Sequence, residues 1–205
     1  VIGLSIISLV IDIVNQKKKN KFKRSAIVKE TQRLMINSTG KIVMFGGDLS
    51  WAENYLATIA YLSNNNQIVE IIFPKEKLRG AKKSVYERFK KNVERLKTAG
   101  ATVYYTEKDY HLRCTLIDVE SPDNRDLKII SSKRISKNVR NEDKNKYKTY
   151  IFDNSNENDK MLCDSFYQNY LLIKSNSIKY WFKELKGMLN KDEFSKVVSK
   201  SKKRN

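Results

Sequence analysis

The chain has 205 residues, of which 40% are hydrophobic and 10% aromatic, so it can bury a core and is not disordered in composition. Its 41 lysines and arginines stand against 23 aspartates and glutamates, which gives a net charge of +18. This excess favours a polyanionic partner, either nucleic acid or an anionic membrane surface. The two cysteines, Cys114 and Cys163, form neither a disulfide framework nor a metal-binding pattern, so we predict no metal site.

The first 24 residues combine an apolar run, VIGLSIISLVIDIV (1–14), with a basic cluster, KKKNKFKR (17–24). About 20 apolar residues are needed to cross a bilayer, so the run is too short by itself. Its order nevertheless fits the end of a signal anchor that leaves the domain on the cytoplasmic side. A buried or dimer-packing amphipathic helix fits equally well, with Ile6, Leu9, Val10 and Ile13 on one face. A cleaved signal peptide fits less well, because the positive charges follow the apolar run.

Past residue 25 the hydrophobic pattern alternates between helical and strand spacing. It predicts helices over 25–37, 49–63, 81–100, 157–174 and 177–189, and strands over 41–45, 68–73, 101–106, 112–119, 127–132 and 147–153. Gly100 is placed to end the long basic helix, and Cys114 falls inside an apolar strand as a small core residue. This order predicts a mixed α/β fold with a central, mostly parallel sheet flanked by helices. The domain is expected to span residues 25–190, between the segment 1–24 and a basic tail at 191–205.

The chemistry of the chain is concentrated in YHLRCTLID (110–118), which contains the only histidine, His111. If the strand here is regular, His111, Arg113 and Thr115 point to one face. A histidine next to an arginine is better suited to a phosphate-binding site than to the hydrophobic core. A guanidinium forks onto two oxygens, and an imidazole can attack phosphorus or move a proton. The sequence shows no glycine-rich phosphate loop, since Gly46-Gly47 does not match one.

The pattern H-x-R-x-x-x-x-D at residues 111, 113 and 118 resembles the H-x-K-x-x-x-x-D signature of the phospholipase D superfamily, with Arg113 in place of lysine. AGATVYYTEKDYH before it, and DLKIISSKRIS and YIFDN…CDSFYQNYLL after it, match the family's order of elements over about residues 27–173. Two departures affect the site. In the downstream box Ser132 is kept, while Ser131 and Arg134 replace a glycine and an asparagine. The acidic residue of the next strand is missing near Tyr147.

The resemblance implies a phospholipase D-like fold that works without a metal or another cofactor. In that family two motifs meet across a twofold axis, where one histidine attacks the phosphodiester and the other protonates the leaving group. With one motif per chain, the resemblance implies a homodimer with the site at the interface. The catalytic set carried over by the resemblance is His111, Arg113, Asp118 and Ser132.

Because the site departs from the family pattern, we expect a domain that binds phosphodiesters, above all nucleic acid, with weak or no catalysis. An active metal-independent phosphodiesterase or nuclease, which is a hydrolase using His111, is the alternative. A membrane-anchored lipid-interacting or adaptor protein is a further one. We expect a cytoplasmic protein that can also meet an anionic membrane through residues 1–24. The residues expected to contact phosphate or nucleic acid are Arg113, Lys133, Arg134, Lys82, Lys83 and Lys90, with Tyr104, Tyr105 and Tyr110 as candidates for stacking on bases.

Overall fold

Eight strands and four α-helices make up the computed structural model, which describes residues 21–47, 49–78, 80–119, 126–134 and 146–179. The strands are β1 (Lys21–Lys23), β2 (Lys41–Phe45), β3 (Val69–Pro74), β4 (Thr102–Thr106), β5 (Cys114–Val119), β6 (Lys128–Arg134), β7 (Lys146–Asp153) and β8 (Ile178–Lys179). The α-helices are α1 (Arg24–Ile36), α2 (Leu56–Asn64), α3 (Lys83–Thr98) and α4 (Glu157–Ser175), and 3-10 turns cover Ala52–Asn54 and Lys75–Leu78.

The strands form one sheet in the order β1-β7-β6-β5-β2-β3-β4-β8. The mixed α/β class is confirmed, but the prediction of a mostly parallel sheet is wrong. Only β2-β3 and β3-β4 are parallel, and the other neighbours run antiparallel. Parallel neighbours need a crossover, which is usually a helix, and here α2 and α3 supply it. Between β4 and β7 the described residues contain no helix, so the strands there reverse direction.

Two apolar clusters cover the two faces of the sheet. On one face, α1, α2 and α3 bury side chains such as Met35, Ile59 and Phe89 against Ile71 and Ile117. On the other face, α4 buries a second set against β5, β6 and β7. The β3 strand is buried along its whole length, as expected for a strand covered on both sides. The sheet therefore lies between two helical layers. Because both of its faces are covered, polar side chains can cluster at the ends of the strands.

Gly100 ends α3, as predicted, with a left-handed φ of 97°. Its N–H donates to the carbonyl of Lys97, which is a common way to close a helix. A Cβ at this position would come within 2.0 Å of the Ser63 Oγ in α2. A glycine here therefore serves both the turn and the approach of the two helices.

Several predicted boundaries differ from the structure. The helix predicted over 49–63 begins only at Leu56, because Leu49 is left-handed with φ 55° and its carbonyl accepts a hydrogen bond from the buried Asn92 side chain. Within the predicted helix 177–189, Ile178–Lys179 pair with β4 as a strand instead, and the remainder lies outside the described residues.

The structure describes only part of the N-terminal segment 1–24. Lys21–Lys23 form a strand that pairs antiparallel with β7, whereas residues 1–20 and the tail 191–205 lie outside the described residues. Among the described helices, none has the length and hydrophobicity needed to cross a bilayer. The membrane-anchor interpretation of residues 1–24 thus stays a prediction.

Both cysteines lie in the core, and neither forms a disulfide. Burial raises the pKa of the Cys163 thiol to about 12, with the carboxylates of Asp159 and Asp153 acting in the same direction. Burial also raises the pKa of Cys114 above its usual range. Because a raised pKa favours the unreactive neutral thiol, we expect Ellman's reagent to modify neither cysteine in the folded protein near neutral pH. Two thiols per chain should react in denaturant, and prompt reaction without denaturant would contradict the core assignment.

Candidate functional site

A cavity of about 480 Å³ opens at one edge of the sheet, on the face covered by α1. It lies where β2 and β6 end and where β5 and β7 begin, which places it beyond the carboxyl end of a parallel strand, a common position for ligand sites in α/β folds. Polar and aromatic side chains share its wall. The lining residues are Ile27, Thr31, Met44, Phe45, Gly46, Gly47, Trp51, Tyr55, Arg113, Cys114, Thr115, Ile130, Ser132 and Tyr147.

The floor of the cavity depends on the glycine pair that follows β2. A Cβ on Gly46 would lie 2.9 Å from the indole Nε1 of Trp51, so only glycine admits this ring. A Cβ on Gly47 would lie 3.4 Å from the Nε of Arg113, whose guanidinium extends over this backbone. The pair matches no phosphate-loop pattern, and its role follows instead from two side chains distant in sequence.

Asp109 contacts both His111 and Arg113, the two residues that the sequence motif pointed to. Its Oδ2 lies 3.3 Å from the His111 Nδ1 and 3.1 Å from the Arg113 Nη2, and the Asp109 side chain is only 3% exposed. Arg113 also donates to the Leu112 carbonyl at 2.7 Å. Asp109 was not among the predicted site residues, although the spacing D-x-H-x-R in DYHLR was the available signal. A buried carboxylate on one imidazole nitrogen orients the ring and leaves Nε2 for a ligand.

His111 does not lie in a strand, contrary to the regular alternation that we predicted. Its φ is 56°, its imidazole is 77% exposed, and β5 begins only at Cys114. The cause is local, because the Asp109 Oδ1 accepts the His111 N–H at 2.8 Å and turns the chain just before the strand. Arg113 and Thr115 do share the cavity wall. His111 therefore meets Arg113 through Asp109 rather than through strand geometry.

Asp118 lies at the opposite end of β5 and is not brought together with His111. Its Oδ1 accepts the N–H groups of Thr39 and Gly40, each at 2.7 Å. Asp118 has φ 62°, and the pairing of β5 with β2 shifts register beside it, which is a β-bulge. A Cβ on Gly40 would lie 2.9 Å from the Asp118 Cα, so this turn packs directly on the bulge. The observed contacts of Asp118 join the α1–β2 turn to the sheet.

Ser132 lines the cavity, and its hydroxyl lies 3.0 Å from the Thr149 hydroxyl on β7. The backbone of Lys133 and Arg134 continues β6, paired with Lys148 and Tyr147. The helix lysines that we expected to touch phosphate do not line the cavity, since Lys82 and Lys83 are exposed at the start of α3 and Lys90 is half-buried further along it.

The tyrosines that we considered for stacking are packing residues. Tyr105 is buried in the core, and Tyr110 packs against the cluster beneath α4. Tyr104 is half-buried, with the Lys174 Nζ 3.2 Å from its ring centre. These three tyrosines contribute apolar area to the core. The aromatic side chains that line the cavity are instead Phe45, Trp51, Tyr55 and Tyr147.

We expect the neutral His111 imidazole to carry its proton on Nδ1, because this atom faces the Asp109 carboxylate. His111 is the only histidine, so its two ring nitrogens can be assigned without ambiguity by ¹⁵N NMR. In Asp109→Asn one carboxylate oxygen becomes an amide donor, and the Nδ1–H tautomer should lose population. A tautomer ratio unchanged by this substitution would show that Asp109 does not hold the ring in solution.

The comparisons with known proteins concern the fold alone. No protein-family model and no curated protein matches the chain. Among solved structures, it is similar to a phosphatidylserine synthase of Haemophilus influenzae, with a TM-score of 0.52 and 14% identity over 85% of this chain and 42% of that one. It is also similar to TrmBL2, described as an archaeal chromatin protein with a novel mode of DNA binding, with a TM-score of 0.43 and 8% identity over 86% of this chain and 61% of that one.

This chain thus spans less than two thirds of either solved chain. The fold is that of a mixed α/β domain, and a phosphatidylserine synthase is among its structural neighbours.

Proposed function

We propose that this domain binds the phosphodiester backbone of nucleic acid at the mouth of the cavity, with Arg113 and His111 on the phosphate and with weak or no turnover. The observation that carries the proposal is the buried Asp109 carboxylate, which holds both groups beside one cavity. A guanidinium has five N–H donors, and the three contacts made by Arg113 use at most three of them. At least two donors remain for phosphate oxygens.

The charge balance supports a long polyanion over a small one. Asp109 neutralises one positive charge at the site itself, so the local attraction for a single phosphate is modest. The chain as a whole carries +18, which attracts a polymer of phosphates along a larger surface. Nucleic acid supplies such a polymer, and it is the partner that the composition favours over a lipid headgroup.

Cleavage by His111 is the second candidate function, and the contact between Asp109 and the imidazole Nδ1 is what favours it. With Nδ1 held, Nε2 would attack phosphorus and expel the leaving oxygen, which must then receive a proton. One histidine cannot serve as nucleophile and acid in the same step, and the chain contains only one. Turnover by two histidines therefore needs a second copy of the chain, and the homodimer is proposed only for this candidate.

Labelled single- and double-stranded DNA and RNA, incubated with the protein in EDTA, separate the two functions. His111→Asn is the matched variant, because asparagine tolerates the left-handed backbone found at this position. Binding without cleavage by both proteins supports the proposal. Cleavage that survives EDTA and is lost in His111→Asn supports the second candidate. The absence of binding at moderate salt would overturn both.

A further inference from the structure

The cavity beside Arg113 has an aromatic wall that phosphate binding does not use. Trp51 and Tyr55 contact each other edge to face, with ring centres 5.8 Å apart, and Tyr147 lines the same space. Trp51 packs on Gly46, and Arg113 extends over Gly47. Trp51 and Arg113 both line the cavity.

Polar side chains also line the cavity. Thr115 is 9% exposed and lines the cavity. The neighbouring hydroxyls are engaged, since Thr31 donates to the Ile27 carbonyl and Ser132 contacts Thr149. The cavity therefore combines aromatic side chains with the Thr115 hydroxyl, beside the arginine that we propose binds phosphate.

We infer that this cavity receives one unpaired base of a nucleic acid strand whose phosphate lies on Arg113, an inference that rests on the proposed function. A volume of about 480 Å³ is in the range of small-ligand pockets and is too small for a base pair with its backbones. Aromatic side chains stack on bases of any sequence, and the Thr115 hydroxyl can bond to a base edge. An acyl chain would gain nothing from that hydroxyl. The site thus favours single strands over duplex, in which a base must first leave the stack.

Three oligonucleotides of equal length test the inference by fluorescence anisotropy: a single strand, the same strand with abasic sugars, and a hairpin duplex. We expect the single strand to bind about tenfold more tightly than the other two. Equal affinity for all three would overturn the base cavity and leave phosphodiester binding intact. Failure of all three to bind would overturn the proposed function itself. Binding only to vesicles of anionic phospholipid would assign the cavity to lipid and overturn the inference.

Three substitutions locate the effect in the cavity. Thr115→Val keeps the shape of the side chain but removes its hydroxyl. It should weaken the binding of the single strand by about threefold and leave the binding of the abasic strand unchanged. The indole should report base stacking directly, so single-strand binding is expected to quench the fluorescence of Trp181→Phe, in which Trp51 is the remaining tryptophan. In Trp51→Phe this quenching should disappear. Quenching that survives in Trp51→Phe, or an equal effect of Thr115→Val on both strands, would overturn the assignment.

Discussion

Replacing Arg113 by alanine is expected to weaken the binding of a single-stranded oligonucleotide by about 10- to 100-fold. Hydrogen bonds to charged groups contribute about 1.5–3 kcal/mol each, and at least one is lost with the guanidinium. The substitution also leaves the Asp109 carboxylate, with its side chain 3% exposed, facing the phosphate without its neighbouring cation. Attraction at the cavity mouth becomes repulsion. The dissociation constant at fixed moderate salt measures the effect, with circular dichroism confirming that the variant is folded.

Two matched variants make this result specific. Arg113→Lys keeps the charge but not the two-pronged geometry, and it should recover part of the affinity. Arg95 lies on α3 and forms an exposed ion pair with Glu53. Arg95→Ala removes the same charge there, and its effect on affinity should stay within about twofold. If Arg95→Ala weakened binding as much as Arg113→Ala, the net charge of the chain would explain the affinity and the cavity would not.

Replacing Asp118 by alanine is expected to lower the free energy of unfolding by about 3 kcal/mol. The substitution removes the acceptor of two N–H groups at 2.7 Å and places alanine at a φ of 62°, a region that aspartate tolerates better. Urea unfolding followed by circular dichroism measures the loss. For a domain of this size, about 3 kcal/mol corresponds to a fall in Tm of about 6–12 °C.

Asp118→Asn is the matched control, because asparagine keeps a carbonyl acceptor and suits the left-handed backbone. It should cost less than half as much stability as alanine does. Oligonucleotide affinity per folded molecule should be the same in both variants as in the wild type, since Asp118 contacts the turn at Thr39 and Gly40 and does not line the cavity. A selective loss of affinity at full stability would instead give Asp118 a role at the site.

The elements that were predicted well are those whose signal is local. The strand predicted over 41–45 is observed at those residues, and the helix predicted over 157–174 differs by one residue. Burial of Cys114 and a helix end at Gly100 were also correct. In each case the cause is the spacing of apolar residues or the conformational freedom of a glycine. Both involve only a few neighbouring residues, so a sequence pattern can reveal them.

The elements that were predicted poorly depend on partners distant along the chain. The direction of the strands after β4 follows from which edges remain open for pairing, and the alternation of apolar residues does not contain this information. The left-handed His111 also escaped prediction, because an ordinary strand pattern continues through it and the competing hydrogen bond comes from the Asp109 side chain.

By itself, the sequence determined that this is a basic α/β domain with a histidine and an arginine two residues apart. Those properties follow from the amino-acid composition and from the periodic spacing of the hydrophobic residues. The tertiary structure alone decided that Asp109 joins these two groups, that Asp118 joins a turn to the sheet, and that Gly46-Gly47 make room for Trp51 and Arg113. Each of these depends on atoms meeting at a distance of a few ångströms, and only the folded chain brings them there.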